Sequence, residues 1–156
     1  MIRIGASLVL SLLGGCISLN TTQDGPIDWE TVYRSNSSQI VIAETIVLND
    51  EASWSAIWNT RMTDRVAPPP APKIDFSAKM LVGVGVGARS SGCYSVAIER
   101  VYRSKEVVTV EYKEIRPGFR AICTANITHP VHIVAIPKSL HAVKFVDLTI
   151  PASGAK

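Results

Sequence analysis

Between residues 79 and 150 the chain carries five short runs rich in apolar and β-branched residues, each parted from the next by a few polar ones, and this succession limits the fold more than any other feature. The runs are KMLVGVGVGA, CYSVAIERVY, EVVTVEYKEI, HPVHIVAIPK and AVKFVDLTI. Strands this closely spaced and joined by short polar turns favour an antiparallel sheet. An earlier run, QIVIAETIVL over 39–48, reads as a further strand. HPVHIVAIPK is apolar on both faces, Val131, Ile133 and Ala135 standing opposite Val134 and Ile136, so it belongs in the interior of the sheet. In KMLVGVGVGA the period of two places Val82, Val84 and Val86 on one face and Gly83, Gly85 and Gly87 on the other. A bare glycine stripe lets a bulky group approach the backbone closely.

One helix accompanies the strands. Asn49 and Asp50 are good N-cap residues, and EASWSAIWNTRM after them sets Trp54, Ile57, Trp58 and Arg61 on one helical face. The two indoles, one turn apart, are expected to pack as core on the glycine stripe. A ligand-stacking pair is the alternative. Pro68, Pro69, Pro70 and Pro72 then end the helix and form a stiff extended connection. The fold class is α+β: an antiparallel sheet of about five to six strands with one main helix packed on it. A β-sandwich or barrel with a helical plug is the alternative arrangement.

The N-terminus reads as an address. Arg3 precedes an apolar run from Ile4 to Leu13, too short for a spanning helix, which needs about 20 apolar residues. Leu13-Gly14-Gly15-Cys16 resembles a bacterial lipobox, with Cys16 as the lipidation site. The expected organisation is a lipoprotein signal peptide over 1–15, a tether over 16–27, a folded domain over 28–150 and a tail over 151–156. Ile17, in place of an Asp after Cys16, points to the outer membrane rather than the inner one. The protein would be tethered by its lipid and otherwise soluble. In such an oxidising compartment Cys93 and Cys123 suggest one disulfide, closing a loop of about 31 residues. Two free thiols or a functional pair are the alternatives.

Little in the sequence supports chemistry. The glycine run is followed by Arg89-Ser90-Ser91-Gly92 and another strand, not by the helix a dinucleotide fingerprint requires. His129 and His132, three apart on a strand, point to opposite faces and cannot form a compact metal site; His141 stands apart. Glu106 and Glu114 share strand parity but lie far apart, and Glu99 and Glu111, which can approach each other across the hairpin, have Arg100, Arg103 and Lys105 nearby, so exposed ion pairs explain them better than a catalytic dyad. No nucleophile motif occurs around Ser90-Ser91. The sequence therefore calls for no catalytic residue, metal or cofactor. Lys and Arg total 16 against 13 Asp and Glu, an excess too small to argue for nucleic acid. Residues 79–120 hold eight basic and four acidic side chains, and Arg89, Arg103, Arg116 and Arg120 are candidate protein contacts.

Several of these residues stand in a familiar order. Trp54-x-x-x-Trp58, the proline-rich gap, Asp75-Phe76-Ser77, the glycine-bearing strand, Gly92-x-Tyr94-Ser95-Val96 and Thr128-x-Pro130-x-His132-Ile133-Val134-x-Ile136-Pro137-Lys138 together resemble the PrcB C-terminal domain family of exported bacterial proteins. The similarity runs from about residue 28 to 148. Where the family turn reads Gly-Gly-Tyr, this chain has Cys93 in the second place. The resemblance implies a non-enzymatic lipoprotein that associates with a surface subtilisin-like protease complex and stabilises it, and it carries over no catalytic residue. The expected partner is another envelope or secreted protein. A small protease inhibitor, acting through Pro117–Asn126, and a small-ligand binder using Trp54 and Trp58 are the alternatives.

Overall fold

A computed structural model describes residues 24–62 and 69–149. Its elements are β1 (Gly25–Pro26), β2 (Glu30–Ser35), β3 (Glu44–Leu48), α1 (Glu51–Ile57) continued by a π-helical turn (Trp58–Met62), β4 (Lys79–Gly85), β5 (Ser95–Ser104), β6 (Val107–Ile115), β7 (Val131–Pro137) and β8 (Ala142–Asp147). They form two four-stranded sheets, ordered β1-β5-β6-β8 and β2-β7-β4-β3. Cys16 and Pro68 lie outside the described residues. Among those residues no helix is long and apolar enough to cross a membrane.

The single antiparallel sheet expected from the hairpin spacing is thus replaced by two sheets stacked face to face. The cause lies in β4 and β7, which are buried on both sides along nearly their whole length. One short helix covers one face only. On that face Leu81, Ile133 and Ala135 pack with Ile46, Leu48, Trp54, Trp58 and Met62. The opposite face, with Met80, Val82, Val134 and Ile136, needs another apolar surface. Ile98, Val101, Val108 and Val110 of the first sheet supply it. The result is three layers: sheet, sheet, helix.

One pair of strands also departs from the antiparallel expectation. β8 runs parallel to β6, with Val107 opposite Ala142 and Tyr112 opposite Asp147. The connection after β7 crosses from the second sheet to the first and delivers β8 alongside the start of β6, so both run the same way. β2 is absent from the sequence reading. It is a half-exposed edge strand with polar residues at most positions, and such a strand shows no clean alternation. Gly25 and Pro26, inside the segment expected to be tether, pair with Arg103 and Tyr102 of β5.

The strand read over 39–48 narrows to β3. Ile40 leaves the ladder and turns inward, where it is buried. A Cβ on Gly85 would lie 2.6 Å from the Ile40 Cγ2, and one on Gly83 would lie 2.8 Å from Ile133 Cγ1. Isoleucines, not indoles, therefore fill the glycine stripe. Gly87 adopts φ 78°, and the carbonyl of Val41 lies against it where a side chain would stand.

The helix starts as its residues dictate: the Asp50 carboxylate accepts from the Ser53 N–H at 2.8 Å and from its hydroxyl at 2.9 Å. These bonds hold the carboxyl of Asp50 below its ordinary range. The π-turn then shifts the buried face. Met62, not Arg61, follows Trp54 and Trp58 into the core, and Arg61 pairs with Glu44 at the surface. The rings of Trp54 and Trp58 meet edge to face at 5.3 Å, and Tyr33 meets Trp58 at 5.0 Å. Each indole N–H is satisfied by the proline segment: Trp54 donates to the Pro72 carbonyl at 2.9 Å and Trp58 to that of Pro69 at 2.7 Å.

Two stability outcomes follow from this packing. Trp58→Ala removes a buried ring and should cost about 3–5 kcal/mol in urea unfolding. Gly85→Ala should destabilise by about 1–3 kcal/mol because its methyl meets Ile40. In a double-mutant cycle Ile40→Ala should relieve most of that second cost. Additive effects of the pair would show that Ile40 is not the obstacle.

Candidate functional site

Strand register sorts the candidate residues between the two ends of the first sheet. At one end Ser95 stands opposite Ile115; at the other Arg103 stands opposite Val108, next to the tight turn at Lys105 and Glu106. With a rise of about 3.3 Å per residue, the ends are roughly 25 Å apart. Arg89, Arg116 and Arg120 belong to the first end. Arg103 belongs to the second, so the four candidate arginines do not form one patch.

At the first end a disulfide joins Cys93 and Cys123, with their Cα atoms 5.5 Å apart. It ties the turn that follows β4 to the excursion between β6 and β7. Hydrogen bonds reinforce the tie. The Gly92 N–H donates to the Thr124 carbonyl at 3.1 Å, and the Thr128 hydroxyl donates to the Ser91 carbonyl at 2.9 Å. Arg89 and Thr128 exchange backbone bonds at 2.8 and 2.9 Å. Within the excursion the Ala121 N–H donates to the Gly118 carbonyl at 3.0 Å, closing a turn with Phe119 and Arg120 at its tip. Phe119 and Ile122 are fully exposed. These two were not singled out from the sequence. The available signal was two large apolar residues in a segment without strand periodicity, just after the turn-forming pair Pro117-Gly118.

Arg89 and Arg116 both bind Glu114, whose side chain is only 6% exposed; the Arg116 contact is 3.2 Å. These two guanidiniums are fixed by an internal carboxylate, whereas Arg120 is exposed at the turn. Two further carboxylates, Glu111 and Glu99, are likewise in ion pairs. Glu111 is buried and meets Arg100 at 2.7 Å, and Glu99 meets Lys113 at 3.2 Å. Glu99 and Glu111 therefore engage cations rather than each other. An open groove of about 360 Å³ between β3–β4 and β6–β8 is lined by Glu44, Arg89, Tyr112, Glu114 and Asp147. Burial, then Asp147 and Glu114, raise the Tyr112 pKa above its ordinary value.

His132 enters the space between the sheets. It is 2% exposed, and its Nδ1 accepts from the Ile98 N–H at 2.9 Å. That assigns the proton to Nε2, which lies 3.0 Å from the Thr31 hydroxyl and donates to it. The Ile98 N–H needs this partner because β5 bulges at Glu99, between Ile98 and Arg100. The Trp29 ring stands edge-on to His132 at 6.0 Å. Burial, with Arg34 nearby, lowers the His132 pKa to about 4. The histidine is an internal bridge between sheets. Among the described residues no group of His, Cys, Asp or Glu could hold a metal ion. The buried indoles of Trp54 and Trp58, with both N–H groups committed, remove the basis for reading that pair as a ligand-stacking site.

A family model described as PrcB C-terminal matches residues 80–137, from β4 through β7. No curated protein and no solved structure matches the chain.

The neutral state of His132 makes stability depend on pH. Its folded pKa lies below the unfolded value near 6.5, so its contribution is complete above that value and is lost as pH falls toward 4. The unfolding free energy should drop by about 2 kcal/mol between pH 7 and pH 5 from this residue alone. His132→Gln should flatten that part of the profile in denaturant titrations at the two pH values. An unchanged slope would show that His132 does not carry it.

Proposed function

We propose, on the premise that residues 80–137 match the PrcB C-terminal family, that this chain is a lipid-anchored, non-enzymatic protein of the bacterial cell envelope. It acts as an accessory or stabilising subunit of an exported complex that contains a protease. The matched stretch takes in the central strands of the second sheet, all of β5 and β6, both cysteines of the disulfide and the excursion between β6 and β7. The observation that carries a binding role is this excursion. It holds Phe119 and Ile122 fully in solvent on a loop braced by a covalent bond. Large apolar side chains displayed on a rigid frame suit protein contact, because little ordering is lost on docking.

The brace also favours a second reading, a small protease inhibitor. A peptide in a protease cleft, however, lies extended and pairs like a strand. The bond from Ala121 to Gly118 folds Phe119 and Arg120 into a turn, which suits a knob better than an inserted strand. The stabilising role is therefore preferred.

The anchor rests on Leu13-Gly14-Gly15-Cys16, and outer-membrane sorting rests on Ile17. Cys16→Ser should move the protein from the membrane fraction to the soluble fraction and abolish fatty-acid labelling. Persistent labelling of the variant would place the lipid elsewhere, and a wild type that takes up no label would rule out the anchor. In an assay of the partner protease, adding this protein should preserve activity through a heat challenge without lowering the initial rate. A stoichiometric fall in initial rate would establish the inhibitor instead.

A further inference from the structure

We propose that the end of the domain remote from its N-terminal chain is the docking surface, and that it fits a protein presenting an apolar recess rimmed by carboxylates. This deepens, and rests on, the accessory-subunit reading. Three segments meet at this end. The Ala88 N–H donates to the Val41 carbonyl at 3.0 Å, which joins the loop before β3 to the segment after β4. The bonds of Arg89 with Thr128 and of Gly92 with Thr124, together with the disulfide, join that segment to the excursion. Along this ridge the exposed side chains are Val41 at 59%, Ile42 at 82%, Ile127 at 71%, Ile122 and Phe119.

Exposed apolar residues scattered singly need no explanation. Five on adjoining segments, pinned by a covalent bond and by backbone ladders, form a surface whose shape is set before anything binds it. Glu44, Glu114 and Asp147 line the groove beside Arg89, and Arg89 and Arg116 are paired with Glu114, so the exposed charge that stands with the apolar side chains is that of Arg120. From Ile115 to Val146 the chain contains no Asp or Glu, and Arg120 sits beside Phe119 at the exposed turn. A partner that matches both features offers apolar contact to Phe119 and a carboxylate to Arg120.

Position selects a protein over the anchoring bilayer. The chain enters the domain at Asp24, whose carboxylate accepts from the Lys105 N–H at 2.8 Å, and continues into β1 beside Tyr102 and Arg103. That is the opposite end of the first sheet from the disulfide, roughly 25 Å away along β5. A lipid attached upstream of Asp24 leaves the Phe119 end on the far side of the domain from its point of attachment. Leu140, also fully exposed, lies in the connection just before β8, whose first residue pairs with Val107 near the entry end, and serves as the internal control.

The test uses the full-length lipoprotein in its native envelope, with the photocrosslinker p-benzoylphenylalanine at position 119 or, separately, at position 140. Position 119 should give one protein adduct whose joined peptide is apolar and flanked by Asp or Glu. Position 140 should not give it. Arg120→Glu should lower the adduct roughly tenfold, and replacing the partner's carboxylate with Lys should restore it. Adducts to lipid, to a second copy of this chain or to its own C-terminal residues would overturn the proposal, as would no adduct. Phe119→Ser with Ile122→Ser, in protein of unchanged melting temperature, should lower co-purification of the adducted partner at least tenfold. If that variant keeps a protease complex at full yield, the surface is wrong and the accessory reading stands. If the adducted partner belongs to no protease complex, the surface stands and the protease reading fails.

Discussion

Burial of β4 and β7 on both faces is the constraint from which the remaining architecture follows. Val82 and Val134 look toward the first sheet, while Leu81 and Ile133 look toward the helix. Two adjacent strands with apolar side chains on both faces cannot lie at a surface without exposing one set. One layer must be a second sheet, because the only helix among the described residues, with its π-turn, is too short to cover more than one face. β5 and β6 provide that sheet. The strand register then decides which loops gather at which end.

Such a core contains few polar groups, and those between the sheets at His132 are matched to each other. The bulge at Glu99 frees the N–H of Ile98 inside the protein, and His132 reaches across from the other sheet to accept it. An unpaired buried amide costs on the order of 1–3 kcal/mol, so the neutral imidazole is part of the packing and has little freedom for chemistry. The helix layer uses the same logic. The carbonyls of Pro69 and Pro72 lie outside any strand or helix and accept from the two indoles. A proline-rich connection suits this role, since its carbonyls are not drawn into a backbone ladder.

The contrast between this interior and the disulfide-bearing end supports a binding role. The carboxylates on β5 and β6 are in ion pairs, and the tryptophans of the helix layer are buried with their N–H groups bonded. Phe119 and Ile122 are held out into solvent by a cross-link and several backbone bonds. Holding two large apolar groups in water costs free energy that contact with a partner would recover. The family match over residues 80–137 covers this segment and the strands that carry it.

Much of the fold was legible in the chain, because local pattern carries it. The β-branched runs, the two-faced character of residues 131–136 and the Asp50 cap depend on local pattern, on a period of two in the strands and on residue type at the helix start. The pairing of Cys93 with Cys123 was legible because two thiols in a domain read as exported leave few choices. Tertiary structure decided what period cannot carry. Periodicity says that a strand has two apolar faces but not what covers the second, so two sheets stood where one was expected. It does not reveal that Ile40 fills the space over Gly85, since that contact joins residues 45 positions apart. Nor does it separate Arg103 from Arg89, Arg116 and Arg120, which are similar in composition and lie at different ends only through the register of β5 on β6. Residue type and spacing determined which side chains could be buried, and long-range packing decided which exposed ones stand together.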